Sequence, residues 1–226
     1  MELVKLDEEL AIYYETEPFP MIRHPLVYSV PHSSYMNAAV NDALKYKKAY
    51  AHEALDDENY SRYVWIHERP HRLNALLDAE RHLTRGEFRK LVIELWCDSE
   101  NIYQNYFKWR RVLGDDRIRG ETLRDFEGED TKLEEMTDDN GFATVYRGTC
   151  VSKRDFMTPL ISGMSWTLDK DKAIWFAHRL CASGKLPRIV VGRIHTRDII
   201  ARLEERGESE VVALRERIAF IEFFEV

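Results

Sequence analysis

The chain has 226 residues, 33 Lys+Arg against 40 Asp+Glu, and a formal net charge of −7. Hydrophobic residues make up 44% and charged residues 32%, which excludes a largely disordered chain. No apolar run approaches the roughly 20 residues that span a bilayer, and the first residues lack the pattern of a signal peptide. Cys97, Cys150 and Cys181 are widely spaced, which disfavours a disulfide scaffold and a zinc–cysteine site. We therefore expect a cytoplasmic protein without a membrane or metal partner.

The two parts of the chain differ in charge. Residues 1–139 have a net charge of −10 and residues 140–226 one of +3. Within the first part, 11 of the 25 residues at 115–139 are acidic and glycines interrupt them, which is typical of an exposed connection. We predict a helical N-terminal region over 1–139 that includes this connection, followed by a second domain over 140–226. An acidic loop within one domain is an equally good interpretation of the composition.

The first part has the periodicity of helices. Ser33 or Ser34 can cap a helix that continues towards residue 54, and a further helix is expected from about residue 72. Thr84 and Glu87 then have the spacing of a capping box. Apolar residues follow at the spacing of one buried helical stripe: Phe88, Leu91, Val92, Leu95 and Trp96.

An aromatic and basic stretch occupies residues 101–111. Ser99 can cap its helix and Gly114 can end it. The stretch could present stacking rings beside phosphate-binding cations, but rings at helical spacing belong more often to a core. This part of the chain is acidic, whereas broad phosphate binding requires a basic surface. Nucleic-acid contact is therefore the minor interpretation of the stretch.

Residues 67–71 have the sequence His-Glu-Arg-Pro-His, which matches the H-E-x-x-H pattern of zinc proteases. That pattern requires an uninterrupted helical turn. Pro70 removes a backbone donor and clashes with the preceding turn, at a cost of about 3 kcal/mol, and it biases Arg69 away from the helical region. We predict a loop that ends a helix rather than a metal site.

The second part changes to an alternation of short strands and one helix. A strand at 143–146 leads into Arg147 and Gly148, a second strand-like segment covers 163–167, and a helix is expected at 173–180. A strand at 188–194, a helical turn at 198–205 and two more strands at 210–214 and 218–224 follow. This order predicts an α+β fold with a mixed or largely antiparallel sheet.

Three short motifs in this second part carry polar residues suited to chemistry. They are Tyr146-Arg147-Gly148, Ser165-Trp166-Thr167 and Arg206-Gly207-Glu208-Ser209-Glu210. Side chains two residues apart in a strand share a face, so Glu208 and Glu210 are expected to project together. Such a pair suggests catalysis or cation binding, although surface charge at a strand end is the commoner explanation of Glu-Ser-Glu alone.

Taken in this order, the motifs resemble the Arg–Ser–Glu class of ADP-ribosyltransferases, which includes cholera-toxin-like and clostridial C3-like enzymes. The family has an arginine at the end of the first core strand, a Ser-Thr-Ser-type strand before a helix, and a loop entering Glu-x-Glu or Gln-x-Glu. The resemblance covers residues 141–226, and Trp166 departs from the usual threonine. The His-Tyr-Glu branch fits worse, because Arg147 stands where its histidine would be.

The resemblance implies NAD as the substrate that donates ADP-ribose. A planar arginine binds phosphate oxygens through paired charge-assisted hydrogen bonds, which is the role expected of Arg147. The residues expected to bind NAD are Arg147, Gly148, Ser165, Trp166 and Thr167.

The resemblance also implies three catalytic residues. Cleavage of the nicotinamide–ribose bond develops positive charge on the sugar, as in glycoside hydrolysis, and Glu210 would stabilise that charge. Ser165 would hydrogen-bond Glu210 and fix its rotamer. Glu208 would orient or deprotonate the acceptor nucleophile.

The implied function is mono-ADP-ribosyl transfer by a toxin or effector to a macromolecular acceptor. Glu-x-Glu is similar to the motif of arginine-modifying members, which favours a protein arginine. RNA or DNA in an anti-phage or toxin–antitoxin setting is the alternative acceptor, and an antitoxin or other inhibitory protein is an expected partner. Simple NAD hydrolysis and a non-catalytic interaction protein with a transferase-like domain remain alternatives.

Overall fold

The computed structural model describes residues 4–100, 102–125, 131–151, 163–179, 181, 184–204 and 206–225. They form an α+β fold, as expected, and the chain divides into two compact units, Met1–Glu100 and Asn101–Val226. This division lies before the expected boundary at 139, because Leu123–Arg124 pairs with a strand of the second unit. Within the described part, no helix has the length and apolar character needed to cross a membrane.

The first unit combines helices with a small antiparallel sheet. Three strands lie in the order β1-β2-β3, and apolar residues from the sheet and from the helix α2 form one core cluster. The elements are α1 Glu8–Ala11, β1 Tyr14–Glu15, β2 Met21–His24, β3 Val27–Ser29, α2 Asn37–Asp56, α3 Tyr60–Ile66, α4 Arg72–Ala79 and α5 Arg85–Asp98.

The capping box predicted at the start of α5 is confirmed. The Thr84 hydroxyl accepts a hydrogen bond from the Glu87 amide at 3.3 Å, and the Glu87 carboxylate accepts one from the Thr84 amide at 2.9 Å. All five residues of the predicted stripe on α5 are buried. Local sequence patterns therefore suffice to locate this helix and its buried face.

Two other helix ends differ from expectation. A short 3-10 helix, Ser34–Met36, precedes α2, and Ser33 makes no side-chain cap to it. Ser99 caps the end of α5 rather than the start of the next helix, because its hydroxyl donates to the Leu95 carbonyl at 2.7 Å. Serine hydroxyls can bond back to the preceding turn of a helix as well as forward.

The His-Glu-Arg-Pro-His segment ends a helix, as predicted. Helix α3 ends at Ile66, and Arg69–His71 forms a 3-10 turn. The Nδ1 atom of His67 donates to the Tyr63 carbonyl at 2.8 Å. The uninterrupted helical turn that the metal-binding pattern requires does not form, because Pro70 lies inside it.

The second unit is built on a seven-stranded sheet in the order β10-β7-β5-β6-β9-β8-β4. Only the β4–β8 pair is parallel among the described strand pairs, so the sheet is mixed. Its elements are α6 Tyr106–Leu113, β4 Leu123–Arg124, α7 Thr131–Glu135, β5 Phe142–Val151, β6 Ser165–Thr167, α8 Lys170–Arg179, β7 Leu186–His195, β8 Ala201–Leu203, β9 Glu210–Val212 and β10 Ile218–Glu225.

Two predictions for the second unit are wrong. Strand β5 continues to Val151, so Arg147 lies inside the strand rather than at its end. The helical turn expected at 198–205 is instead the 3-10 turn Thr196–Asp198 followed by β8, because pairing with β9 overrides the local pattern.

Several residues that entered the predictions lie outside the described residues: Asn101, Gly128, Leu180 and Glu205.

A disulfide joins Cys150 and Cys181, which the sequence spacing did not predict. The two residues are 31 positions apart, yet their Cα atoms lie 5.0 Å from each other. Helix α8 packs against β5 and returns the chain to the end of that strand. Cys97 is free. Cys150 and Cys181 are therefore brought together by the packing of a helix on a strand, which their spacing in the sequence does not indicate.

Gly148→Ala is expected to destabilise the second unit. A Cβ atom at residue 148 would collide with the carbonyl oxygen of Ala173 and the amide nitrogen of Ala177 in α8. Neither backbone atom can move without shifting the helix, so the free energy of unfolding should fall by about 1–3 kcal/mol or more. Urea denaturation measures the change. Gly86→Ala, where a Cβ meets open space, is the control, and equal stability of the two variants would contradict the packing argument.

Candidate active site

Arg147, Ser165 and Glu210 meet on three adjacent strands. In the sheet, β6 lies between β5 and β9. The register pairs Thr167 with Tyr146 on one side and with Glu210 on the other. The sheet order therefore brings together three motifs that are distant in sequence.

The predicted hydrogen bond between Ser165 and Glu210 is confirmed. The Ser165 hydroxyl donates to Oε1 of Glu210 at 2.5 Å. Ser165 lies opposite Val212 and Glu210 opposite Thr167, so the bond runs diagonally between the two strands. A hydrogen bond to a carboxylate is charge-assisted, and it fixes the rotamer of Glu210.

The Arg147 guanidinium lies beside this pair. Its Nη1 donates to the backbone carbonyl of Ser165 at 2.5 Å. The Arg147 residue is half-buried, but its Nε atom is shielded from solvent and has no hydrogen-bond partner among the described residues. Burial lowers the pKa of the Arg147 guanidinium, and the nearby charge of Glu210 opposes that shift. The site thus contains a cation with an unused donor next to an oriented carboxylate.

Gly163 leaves the space that the guanidinium occupies. A Cβ atom at residue 163 would overlap Cζ, Nε and Nη1 of Arg147. The Gly163 carbonyl also accepts a hydrogen bond from Trp166 Nε1 at 3.2 Å. Residue 163 therefore has to be glycine for Arg147 to keep this position.

The contacts of Trp166, Thr167 and Gly148 are to the protein itself. Trp166 is 3% exposed and belongs to the core cluster of the second unit. The Thr167 hydroxyl donates to the Glu208 carbonyl at 2.6 Å and accepts from the Asp169 amide at 2.9 Å. Gly148 lies against α8. These residues support the site by packing and by anchoring the loop before β9, and their expected contribution to NAD binding stays a prediction.

The expectation that Glu208 and Glu210 share a strand face is wrong. Strand β9 begins at Glu210, and Glu208 lies in the bend before it. Ser209, between them, has φ of 46°, a left-handed conformation outside the strand region. The period-2 alternation therefore does not extend to Glu208.

A buried arginine that the sequence analysis missed supports the same loop. Arg202 is 0% exposed. Its Nη1 donates to the Glu210 carbonyl at 3.0 Å, and its Nη2 donates to the Glu204 carboxylate at 2.6 Å. The signal was an arginine inside the apolar run Ile-Ile-Ala-Arg-Leu at 199–203, since a charge in such a run implies a buried partner.

Ser209 connects this arginine to a second cation. Its hydroxyl donates to Glu204 at 3.2 Å and accepts from Lys132 Nζ at 2.7 Å. Lys132 also lies 3.5 Å from the Asp169 carboxylate. The loop before β9 is thus held by the side chains of Lys132, Arg202 and Glu204, and its left-handed residue is part of that network.

Comparisons with protein families, curated proteins and solved structures found no match. No group of three His, Cys, Asp or Glu side chains that could hold a metal ion occurs in the part of the chain that the structure describes. An oriented carboxylate next to a buried guanidinium can hold an anionic ligand and stabilise positive charge that develops beside it.

Proposed function

We propose that this chain is an NAD-dependent mono-ADP-ribosyltransferase that modifies a macromolecular acceptor. The observation that carries the proposal is the hydrogen bond from Ser165 to Glu210, formed beside Arg147. Three residues of the types and order found in the Arg–Ser–Glu class come together across three strands, which motif order in the sequence does not by itself require. A toxin or effector kept inactive by an inhibitory protein partner is part of the proposal.

The environment of Arg147 fits a phosphorylated ligand such as NAD. A buried donor without an acceptor is costly, and Arg147 Nε is such a donor among the described residues. A phosphate oxygen that gains access to this atom would satisfy it with a charge-assisted hydrogen bond, since the Arg147 residue as a whole is only half-buried. Ser165 then has two functions, since its carbonyl holds Arg147 and its hydroxyl holds Glu210.

Glu210 is assigned the role of stabilising the ribose carbon from which nicotinamide leaves. Positive charge develops on the ribose in that step, and a carboxylate already fixed in place stabilises it without reorganisation. The Ser165 hydroxyl and the Arg202 guanidinium, which binds the Glu210 carbonyl, fix the side chain and the backbone of this residue respectively.

Labelled NAD incubated with the protein and a cell lysate tests the proposal. Label that becomes macromolecular and is released by protease supports a protein acceptor, whereas release by ribonuclease or deoxyribonuclease supports nucleic acid. Nicotinamide release without macromolecular label would instead indicate NAD hydrolysis. Absence of both label transfer and nicotinamide release would contradict the proposed enzyme and favour a non-catalytic interaction protein.

Gly163→Ala is expected to weaken NAD binding with little loss of stability. The new methyl group would displace the end of a flexible side chain, Arg147, rather than backbone. Loss of the charged hydrogen bonds of that side chain should lower kcat/KM for NAD by about 10- to 100-fold, mainly through KM. Steady-state kinetics and urea denaturation, with Gly86→Ala as the control, measure both quantities. An unchanged KM for NAD would contradict the role of Arg147.

Glu208→Gln is expected to lose transfer while retaining appreciable NAD hydrolysis. Glu208 lies outside the strand that positions Glu210, so it is assigned to the acceptor rather than to the ribose. Water needs little activation once positive charge has formed, whereas a macromolecular nucleophile must be aligned. Nicotinamide release with and without acceptor separates the two steps. Equal loss of hydrolysis in Glu208→Gln and Glu210→Gln would show that the two glutamates act together.

A further inference from the structure

Two aromatic rings of the second unit lie in water beside cations. Tyr103 is 76% exposed and Phe107 is 80% exposed; Tyr103 lies in the 3-10 helix Ile102–Asn105 just before α6, and Phe107 lies in the first turn of α6. Trp109, by contrast, is 1% exposed and anchors the helix in the core. Residues 102–113 contain three basic residues and no acidic one. Exposed rings with basic neighbours along the helix are suited to stacking on the bases of a polyanion.

A cavity of about 330 Å³ adjoins the end of this helix. Leu113, the last residue of α6, is part of its wall, together with other apolar residues. Its volume lies at the lower end of the range for ligand pockets, roughly 300–1,000 Å³. The charged side chains of its lining are Arg119, Arg197 and Arg217, and Glu121 and Asp198.

The exposed rings and the cavity belong to one surface. Arg110 lies one helical turn after Phe107 and donates to Glu216 at 3.0 Å. Glu216 precedes Arg217, which lines the cavity. The surface formed by Tyr103, Phe107 and Arg110 therefore continues to the cavity arginines, and we call it the α6 surface.

The ion pairs on the α6 surface are weak enough for its arginines to exchange a carboxylate for a phosphate. Arg119 lies 3.1 Å from Asp116, and Arg217 lies 3.7 Å from Asp198. The two arginine side chains are 67% and 57% exposed. Exposed ion pairs contribute only about 0–1 kcal/mol, so phosphate oxygens can replace these carboxylates at little cost.

We propose that the α6 surface binds single-stranded nucleic acid, with bases stacked on Tyr103 and Phe107 and phosphates on the cavity arginines. Stacking requires unpaired bases, which a duplex does not present. That the bound nucleic acid is the acceptor of ADP-ribose rests on the proposed function. The binding of nucleic acid does not depend on that function, and it is measured without NAD.

The cavity lies at the other end of the strands from Glu210. Ile199 and Ile200, in its lining, precede β8, and Ala201 pairs with Val212 whereas Leu203 pairs with Glu210. Three residues of strand separate the two places by roughly 10 Å. Nucleic acid held at the α6 surface is thus bound away from the catalytic residues. Substitutions on the α6 surface can therefore be tested without altering those residues.

Fluorescence anisotropy of the full chain with a labelled oligouridylate of about 12 nucleotides tests the proposal. Tyr103→Ala and Phe107→Ala should each weaken binding at least about fivefold. Arg197→Gln and Arg217→Gln should each lower the slope of log affinity against log salt by about 0.7. The matching duplex should bind more weakly than the single strand.

Two controls are matched in exposure and charge. Tyr35 is 82% exposed, and the Arg23 side chain is 50% exposed beside the Glu15 carboxylate, so Tyr35→Ala and Arg23→Gln should bind as the unaltered chain does. No binding of the single strand at low salt would overturn the proposal and leave a protein acceptor. Equal binding by Phe107→Ala, or equal affinity for duplex and single strand, would also overturn it, because either result excludes stacking.

Discussion

Glu210→Gln is expected to lower the rate of nicotinamide release by about 10²- to 10³-fold while leaving the protein folded. The substitution keeps the size of the side chain and removes its charge. The Ser165 hydroxyl, which now donates to Oε1 at 2.5 Å, can donate equally to an amide oxygen. The geometry of the site is therefore retained while its electrostatic effect on the ribose is lost.

Nicotinamide release under saturating NAD measures this loss, and urea denaturation verifies that the fold is unchanged. Glu135→Gln is the matched control, since Glu135 is exposed at the end of α7 and should retain full activity. A folded Glu210→Gln protein with activity close to that of the control would show that Glu210 is not the catalytic carboxylate.

The features of the fold and of the site that the sequence could predict depend on local patterns and on motif order. Ser165 and Glu210 were predicted as a hydrogen-bonded pair from the resemblance, and the structure places them in contact. The capping box at Thr84 and the buried face of α5 required only helical periodicity. The helix features are determined by residues a few positions apart, whereas the Ser165–Glu210 contact could be predicted only through the resemblance.

The features that were missed depend on contacts distant in sequence. Arg202 supports Glu210 only because β8 pairs with β9, and the sequence had suggested a helical turn there. Cys150 and Cys181 meet because α8 packs on β5. The assignment of Glu208 to the face of Glu210 was wrong because Ser209 adopts a left-handed conformation, which strand alternation cannot indicate.

The corrected position of Arg147 also affects how the site is built. An arginine at a strand end would be exposed, but inside β5 its Nε atom is shielded from solvent. Its burial lowers the pKa of the guanidinium, although Glu210 counteracts this. Burial makes an unsatisfied donor more costly, which strengthens the expectation that an anionic ligand binds there.

Arg202→Met is expected to lower both the stability of the second unit and the turnover of the folded protein. The substitution leaves the Glu210 carbonyl without its donor and the Glu204 carboxylate without its cation. Removing one partner of a fully buried pair costs about 3–5 kcal/mol. The side chain of Glu204 is 31% exposed, so a loss of about 2–3 kcal/mol is expected here because water can solvate the carboxylate.

The double variant Arg202→Met with Glu204→Gln separates stability from positioning. It removes the unpaired charge, so part of the lost free energy of unfolding should return, but the Glu210 carbonyl still lacks its donor and kcat should stay low. KM for NAD should change little, since Arg147 is untouched. The kcat and the free energy of unfolding of Arg202→Lys should lie between those of Arg202→Met and those of the unaltered chain. The lysine ammonium keeps the positive charge but cannot serve both acceptors in the planar geometry of a guanidinium. If folded Arg202→Met turns over as fast as the unaltered chain, the loop before β9 is positioned without Arg202.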